Sequence, residues 1–372
     1  MMLQAWAILV DSVRELRSRS LFWISLILSA VVSLALFAVL SFNEDGWRLL
    51  WFRTNESAML CEGSPEARRL VMLMFSLFVY WWLSWGAIIL AIVSTSSILP
   101  GFMAGGAIEI TLAKPMRRIW LFLFKVAGAL LFAFAQTLLA VVIAYLLLGF
   151  KENIWVHAMW WTIPLIVIQF MYLYSIAALV AAVSRSTLAS LLLTLLCWGL
   201  FSLIQFVSNQ LDKSAAQSEW LIQLYDQQIQ EIRSAAETQH RALTISESSR
   251  IASMQAQRDE IAEPIKFIDP YRKPVNIVEL CIPKTGDIQR VIADITGAPT
   301  LSEALMGSGA FDSEGIRPVE FSEQDWTNVQ QASLAGDRAV REVNRLQSLG
   351  TSLAFSFVVL GAAVFIFQRR DF

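Results

Sequence analysis

The sequence predicts an all-α polytopic membrane protein: six transmembrane helices, with a mainly helical, minor-β domain between the fifth and the sixth. Hydrophobic residues make up 56% of the chain and charged residues only 16%, which is unlike a soluble domain of this length. Six apolar runs reach about 20 residues, the length that crosses a bilayer core as a helix. A long polar stretch separates the last two runs.

Residues 1–20 have the pattern of an amphipathic helix, because Trp6, Leu9, Val13 and Leu16 share one helical face. Such a helix can lie among lipid headgroups; the alternative is a plain extension of the first span. The first apolar run is too long for the hydrophobic core of a cleavable signal peptide. The six predicted spans are residues 21–42, 70–93, 119–150, 158–183, 187–207 and 349–367.

Several side chains within the spans are unusual for a membrane helix. The tryptophans at 81, 82 and 85 are expected to pack between helices, and the alternative is the wall of an apolar cavity. Gln136, Gln169 and Gln205 are expected to bond across helices, and the alternative is contact with a substrate. Lys125 is expected to extend its ammonium group back to the cytoplasmic interface.

The loop between the second and third spans carries the most informative motif. Pro100-Gly101 is expected to break the second helix. Residues 105–118 read GGAIEITLAKPMRR, in which a glycine pair precedes a helix of about two turns. Lys114-Pro115 should end that helix, because the residue before a proline avoids the α conformation.

This loop, with the later KVAG at 125–128 and the terminal RRDF, resembles the cytoplasmic loop of ABC-2-type transporter permeases. The resemblance implies the membrane subunit of an ATP-driven transporter, commonly an exporter. It also implies a short coupling helix that receives force from a separate ATP-binding subunit. The residues implied for this contact are Glu109, Ile110, Leu112, Lys114, Pro115, Arg117 and Arg118.

The charges of the short loops predict the orientation, because loops rich in Lys and Arg stay in the cytoplasm. Both termini and the coupling loop should then be cytoplasmic, and residues 208–348 extracytoplasmic. The simple topology suits a bacterial cytoplasmic (inner) membrane. The basic residues that set this orientation are Arg14, Arg17, Arg19, Lys114, Arg117, Arg118, Arg185, Arg369 and Arg370.

The predicted organisation has four parts. They are an interfacial helix (1–20), spans one to five (21–207) with the coupling loop (94–118), the outer domain (208–348), and the sixth span with its tail (349–372). In the outer domain, residues 217–261 and 320–348 are predicted to be helical, and 275–282 to be a strand within a Pro-rich region. We expect the fifth and sixth spans to continue as a helical stalk carrying that region at its far end. The alternative is a compact globule lying flat on the membrane, in which the first arm bends around 244–249, where Thr and Ser weaken helix propensity.

The sequence lacks a phosphate-binding glycine loop, a zinc-protease helix and a serine nucleophile elbow. We therefore predict no catalytic, cofactor-binding or metal-binding residues and no enzyme, with ATP held by a partner subunit. Cys61 and Cys281 fall on the same side in this topology, so a disulfide is possible; the alternative is two free thiols.

The expected partners are an ABC ATP-binding subunit, a second permease subunit in a homo- or heterodimer, the lipid bilayer, and an envelope protein at the outer domain. No nucleic-acid partner is expected. The alternative function is a non-transporting membrane scaffold whose outer domain binds an envelope partner.

Overall fold

The computed structural model describes residues 14, 17–18, 20–43, 46–49, 52–55, 64–103, 118–298, 328, 331–336 and 345–369. Most of these residues are helical, and six helices are long and apolar enough to cross a membrane, by length and composition. The six predicted spans are thus confirmed as helices of that kind, and the chain has the character of an integral membrane protein.

The helices follow the predicted spans closely, and the second span changes helical form in its middle. A π-helical segment, Phe78–Ala87, lies between the α-helices Pro65–Leu77 and Ile88–Thr95, and a 3₁₀ turn, His157–Trp161, precedes the helix Thr162–Ser184. The α-helices are α1 (Ser20–Val39), α2 (Pro65–Leu77), α3 (Ile88–Thr95), α4 (Ile98–Met103), α5 (Arg118–Glu152), α6 (Thr162–Ser184), α7 (Thr187–Thr238), α8 (Ile245–Cys281), α9 (Thr285–Thr296) and α10 (Arg345–Arg369).

The second span does not break where the sequence predicted. The chain turns at Ser96-Ser97, after α3, and α4 then runs through Pro100 and Gly101. Proline is tolerated there because it stands in the first turn of α4, where a helical N–H has no intrahelical partner. The Gly101 N–H donates to the Ser97 carbonyl at 2.9 Å.

A small antiparallel sheet follows the first span, between the first and second predicted spans. Its strands are β1 (Leu40–Asn43), β2 (Gly46–Leu49) and β3 (Phe52–Asn55), in that order across the sheet. The first helix therefore ends at Val39, three residues short of the predicted span. The predicted fold placed its minor β part between the fifth and sixth spans, so this sheet was not predicted.

The centre of the membrane bundle is α6, which packs against α5 and α10, while α1 packs against α5. Small side chains line these contacts and let the helices approach closely. On α1, Ser25, Ser29 and Ser33 recur every fourth residue and are fully buried. On α6, the buried small residues are Ser175, Ala177, Ala178, Ala181 and Ala182.

A tight turn joins α6 to α7. Arg185 adopts a left-handed conformation (φ 55°) and donates its N–H to the Ala181 carbonyl at 2.9 Å, which closes the end of α6. Ser186 then caps α7 by accepting from the Ala189 N–H. The Ser190 hydroxyl donates to the Ala177 carbonyl at 2.8 Å, so the two helices stay in contact beside the turn.

The helix of the fifth span continues far beyond its apolar stretch, as predicted, because α7 is a single helix of 52 residues. The chain then reverses at 239–244, and α8 runs back along α7. Arg258 pairs with Asp226 at 3.0 Å, and Arg272 with Asp212 at 2.8 Å. The first arm therefore reverses just before Thr244, next to the bend that the alternative placed at 244–249. The flat globule of that alternative stays a prediction.

Two predictions for this region are wrong. The Pro-rich region does not lie at the far end of a stalk, because α8 carries it back beside residues 208–219 of α7. The predicted strand at 275–282 is instead the last part of α8. Val275, Ile277, Val278 and Ile282 are β-branched, the residue type that favours a strand, but tertiary packing routinely overrides such a propensity.

The reversal is fixed by a capped helix start. The Thr244 side chain accepts from the Glu247 N–H, and the Glu247 carboxylate accepts from the Thr244 N–H, which is a capping box. Arg241 donates two hydrogen bonds to the same carboxylate, at 2.6 and 2.7 Å. The hydrogen bonds from Arg241, followed by those from Thr244, hold the pKa of Glu247 well below its ordinary value.

Contacts group the described chain into two units. The first contains residues 20–201, 283–298 and 345–369; the second, which we call the hairpin unit, contains 202–282 and 331–336. In the hairpin unit, Ile229 packs with Ile251 and Met254 as a small apolar cluster. Helix α9, which the sequence analysis placed in the outer domain, groups with the membrane helices. The prediction that the returning arm runs directly into the sixth span concerns residues 337–344, which lie outside the described residues.

Candidate functional site

The second span changes helical form in its middle, and the candidate site is built around that change. In the π segment the backbone bonds reach one residue further than in an α-helix, a geometry that is rare and frequent at functional sites. The segment carries Trp82 and Trp85. Trp82 lies across Gly86, where a Cβ would stand 2.8 Å from the Trp82 Cε3 atom. Only glycine leaves room for that ring.

The three tryptophans of this span divide between packing and exposure. Trp85 stacks on Trp198 of α7, with ring centroids 4.5 Å apart, and Trp82 packs against the bundle core. Trp81 is 67% exposed and faces out of the bundle. The predicted packing role is confirmed for Trp82 and Trp85 and is wrong for Trp81.

Two buried glutamines donate to the end of the π segment. Gln136 of α5 donates through Nε2 to the Ala87 carbonyl at 3.3 Å and to Ser29 Oγ of α1 at 3.1 Å. Gln169 of α6 donates to the Ser84 carbonyl at 3.3 Å. The prediction that these glutamines bond across helices is confirmed for both residues. Their amides join α1, α5 and α6 to a single stretch of backbone.

Five buried polar atoms at the same place have no hydrogen-bond partner among the described residues of the chain. In native proteins such atoms are few, and each calls for an explanation. A polar group left unpaired in an apolar interior costs about 1–3 kcal/mol by mutational measurement. The atoms concerned here are Trp82 Nε1, Ser84 Oγ, Gln136 Oε1, Gln169 Oε1 and Trp198 Nε1.

A small cavity adjoins Gln136. Its volume, measured as the space open to the centre of a water molecule, is about 10 Å³, which is close to the room that one water needs. A larger molecule does not fit beside the glutamine in this arrangement of the helices. The lining residues are Ala87, Ile88, Ala91, Ala133, Gln136, Thr137, Ile166 and Phe170.

A second polar cluster surrounds Asp287 of α9. Its buried carboxylate accepts from Ser348 Oγ of α10 and from Arg290 Nη1 at 3.2 Å. The Lys284 N–H donates to Ser352 Oγ at 2.9 Å. A carboxylate packed among apolar helices is acceptable only because it is paired and hydrogen-bonded.

The sequence analysis missed this cluster, although a signal was present. Ile288, Val291, Ile292 and Ile295 recur at helical spacing, and they are the residues that pack α9 against the membrane helices. That stripe, taken with Asp287, marks an amphipathic helix whose apolar side needs a partner.

No family model, curated protein or solved structure matches this chain.

Lys125 does not reach a free surface. Its side chain is buried, and its ammonium lies 5.5 Å from the centre of the Phe102 ring, within reach of a cation–π attraction. The expectation that it extends to the cytoplasmic interface is therefore wrong for this arrangement. The cause is α4, which packs on α5 and covers it.

The predicted coupling residues fall almost entirely outside the described residues. Glu109, Ile110, Leu112, Lys114, Pro115 and Arg117 all lie there, and so does Cys61. Arg118 is the first residue of α5, and Cys281 is the last residue of α8. The coupling contact and the disulfide stay predictions. Among the described residues, no group of His, Cys, Asp and Glu is placed to hold a metal ion.

Proposed function

We propose that the chain is the membrane-spanning permease subunit of an ATP-driven ABC-2-type transporter, an exporter that works with separate ATP-binding subunits. The observation that carries this proposal is the motif at 105–118, between the second and third of six helices that are apolar enough to span a membrane. A bundle of six such helices is the architecture that a permease subunit of this class requires.

The polar interior of the bundle supports a transport role. Polar residues among membrane helices usually face protein or a water-filled path, and here unpaired polar atoms gather around one π segment. A π segment departs from the α-helical pairing and is frequent at functional sites, so this is the place where we expect the second span to change shape. The one-water cavity fits a closed state of the pathway.

The proposed cycle uses the loop motif. Two permease subunits, identical or related, form the pathway, and ATP-driven closure of the partner subunits pushes the short helix at 107–113. This movement shifts the bundle only if the ATP-binding subunits contact its two states with different free energy. Glu109 offers a carboxylate to a basic partner, and Ile110 and Leu112 offer apolar contacts.

The proposed topology places both termini in the cytoplasm of a bacterial cell, with the protein in the cytoplasmic membrane. Residues 208–348 then lie outside, where an envelope protein can bind them. Short basic loops support this orientation. A single cysteine at Ser313 should react with an impermeant thiol reagent in intact spheroplasts, and one at Ala113 only after permeabilisation. The reverse pattern contradicts the orientation.

The decisive experiment on function is co-purification followed by an ATPase assay. The chain should co-purify with a protein that carries a phosphate-binding loop and stimulate its ATPase activity in vesicles. Glu109→Arg should reduce the stimulation at least about tenfold, because one contact of a charged group contributes about 1.5–3 kcal/mol. Glu44→Arg, predicted to lie on the opposite side, is the matched control.

The outcomes separate the two candidate functions. Unchanged stimulation in the Glu109→Arg variant removes the coupling role from that residue. A chain that purifies without any ATPase, while residues 208–348 hold an envelope protein, contradicts the transporter and favours the membrane scaffold.

A further inference from the structure

Helix α8 exposes an apolar face although it lies outside the predicted spans. Phe267 is 73% exposed, Tyr271 56%, Ile277 64% and Val278 48%. At 100° per residue, these four side chains lie within one side of the helix. An exposed group of large apolar side chains, rather than a single one, indicates a surface that is covered by something.

The opposite side of α8 is the one held against α7. Arg272 pairs with Asp212 at 2.8 Å, and Glu279 accepts from the Ser208 hydroxyl. The exposed apolar face therefore does not belong to the interface between α7 and α8. Pro264, Pro270 and Pro274 lie on the exposed side as well, and they extend the apolar face through residues 264–278.

The contacts within the hairpin fix the level of this face along α7. Ser208 and Asp212 come directly after Val207, where the apolar stretch of α7 ends. Five residues of helix rise about 7.5 Å, and the headgroup layer on each side of a bilayer is about 5–7 Å thick. Because α8 runs back towards the membrane, its end from about Pro274 to Glu279 lies level with that layer, with Tyr271 at the outer edge and Phe267 beyond it. The exposed side chains of Leu203, Phe206 and Val207 come just before this level on α7.

The prolines indicate which part of the bilayer this is. Near this level, Pro274 lacks the N–H that would bond the carbonyl four residues earlier, so Pro270 offers a carbonyl oxygen with no helical donor; Pro264 and Pro270 free carbonyls further out, in water. Such groups are costly in hydrocarbon, where nothing can donate to them. The headgroup layer is hydrated, and Phe and Tyr side chains suit its boundary with the hydrocarbon.

We propose that the end of this apolar face nearest the membrane, Tyr271–Val278, lies in the headgroup region of the bilayer and is covered by lipid. The hairpin unit is then anchored by α8 as well as by the span that carries α7. A second copy of the chain is the weaker candidate for this surface, because a dry protein interface leaves the proline-freed carbonyl without a donor. The proposal does not depend on the transport function.

Depth measurements on spin labels test the proposal. Cys61, Cys197 and Cys281 are replaced by Ala, and single cysteines at Tyr271, Ile277 and Val278 are labelled in phosphatidylcholine nanodiscs. Accessibility to oxygen, which concentrates in lipid, is compared with accessibility to a water-soluble nickel complex. Ser253 is the matched control, because it lies on the same side of α8 and is exposed. It is about 37 Å from Val278 along the helix axis, on the side away from the membrane.

We expect an oxygen-to-nickel accessibility ratio severalfold higher at Val278 and Ile277 than at Ser253, with Tyr271 between them. Equal ratios at all four positions place the face in water and overturn the proposal. Low accessibility to both reagents, with immobilised labels, shows that protein covers the face and overturns it equally. The three test positions are exposed, so the labels are tolerated, and ellipticity at 222 nm confirms that each variant is folded.

Discussion

The membrane bundle and the hairpin unit hold their helices together by different means. In the bundle, neutral amides and hydroxyls bond across helices, as Gln136 does with Ser29 and Ala87. In the hairpin, ion pairs such as Arg272–Asp212 and Arg258–Asp226 join α7 to α8 around a small apolar cluster. Only the second kind of contact should respond to salt.

The difference follows from the surroundings of each contact. In an apolar interior, a hydrogen bond between neutral groups avoids the desolvation penalty of a charge. Water screens the charges of the hairpin, so each of its ion pairs contributes little and depends on ionic strength. The four predictions below test this contrast, from the largest expected effect to the smallest.

The hairpin should depend most on its apolar cluster. Ile229→Asp removes a buried side chain and puts a carboxylate between α7 and α8, so we expect the hairpin to lose at least about 2 kcal/mol of stability against opening. Hydrogen exchange of the α8 amides measures that free energy. Gln230→Asp, at the exposed neighbouring position, is the control; equal effects of the two variants would show that the cluster does not hold the hairpin.

The bundle should depend on its glutamines to a smaller extent. Gln136→Leu removes the donor to Ser29 and Ala87, and we expect a loss of about 0.6–2 kcal/mol, the range found for hydrogen bonds between membrane helices. Unfolding in detergent micelles at low and at high salt gives the change. Phe134→Leu, at an outward-facing position of the same helix, is the control. A loss that disappears in high salt contradicts the proposed neutral contact.

The ion pair between Arg272 and Asp212 should contribute less still. A double-mutant cycle with Arg272→Gln and Asp212→Asn is expected to give a coupling energy of at most about 1 kcal/mol at low salt. It should fall towards zero in 1 M salt, where the screening length is about 3 Å. Arg272 also lies 3.5 Å from Glu219, so Glu219→Gln is the companion variant. A coupling that survives high salt shows a desolvated pair instead.

The smallest effect concerns the turn between α7 and α8. Because the folded pKa of Glu247 is lowered, chiefly by hydrogen bonds from Arg241, its contribution is present above the unfolded pKa of about 4.3. It is lost as the pH falls below that value. Protease cleavage at 239–248 should therefore increase in acid. Glu247→Gln should remove this pH dependence; an unchanged acid response in that variant assigns it to another group.

The six spans could be predicted because an apolar run of about 20 residues is a local property of the sequence. The π segment could not, since its geometry rests on residues distant in the chain, with Gln136 and Gln169 donating to its carbonyls. The ring of Trp82 over Gly86 is likewise a tertiary contact.

The segment after the fifth span was misread for a different reason. Three prolines normally interrupt a helix, yet α8 passes through all of them because they share its exposed side and the opposite side is bonded to α7. For α9, the apolar spacing of Ile288, Val291 and Ile292 was visible, but nothing local shows which surface a helix packs against.

The wide turn of the π segment also affects how the chain tolerates changes in length. Because each backbone bond encloses one residue more than in an α-helix, the stretch from Phe78 to Ala87 holds surplus residues. Losing one of them is absorbed by tightening the turn, and Ile88 and Ala91 keep facing the same neighbours. The same deletion inside α6 rotates every later side chain by about 100°. The second span is therefore the transmembrane segment in which the insertion or deletion of a single residue should be tolerated best.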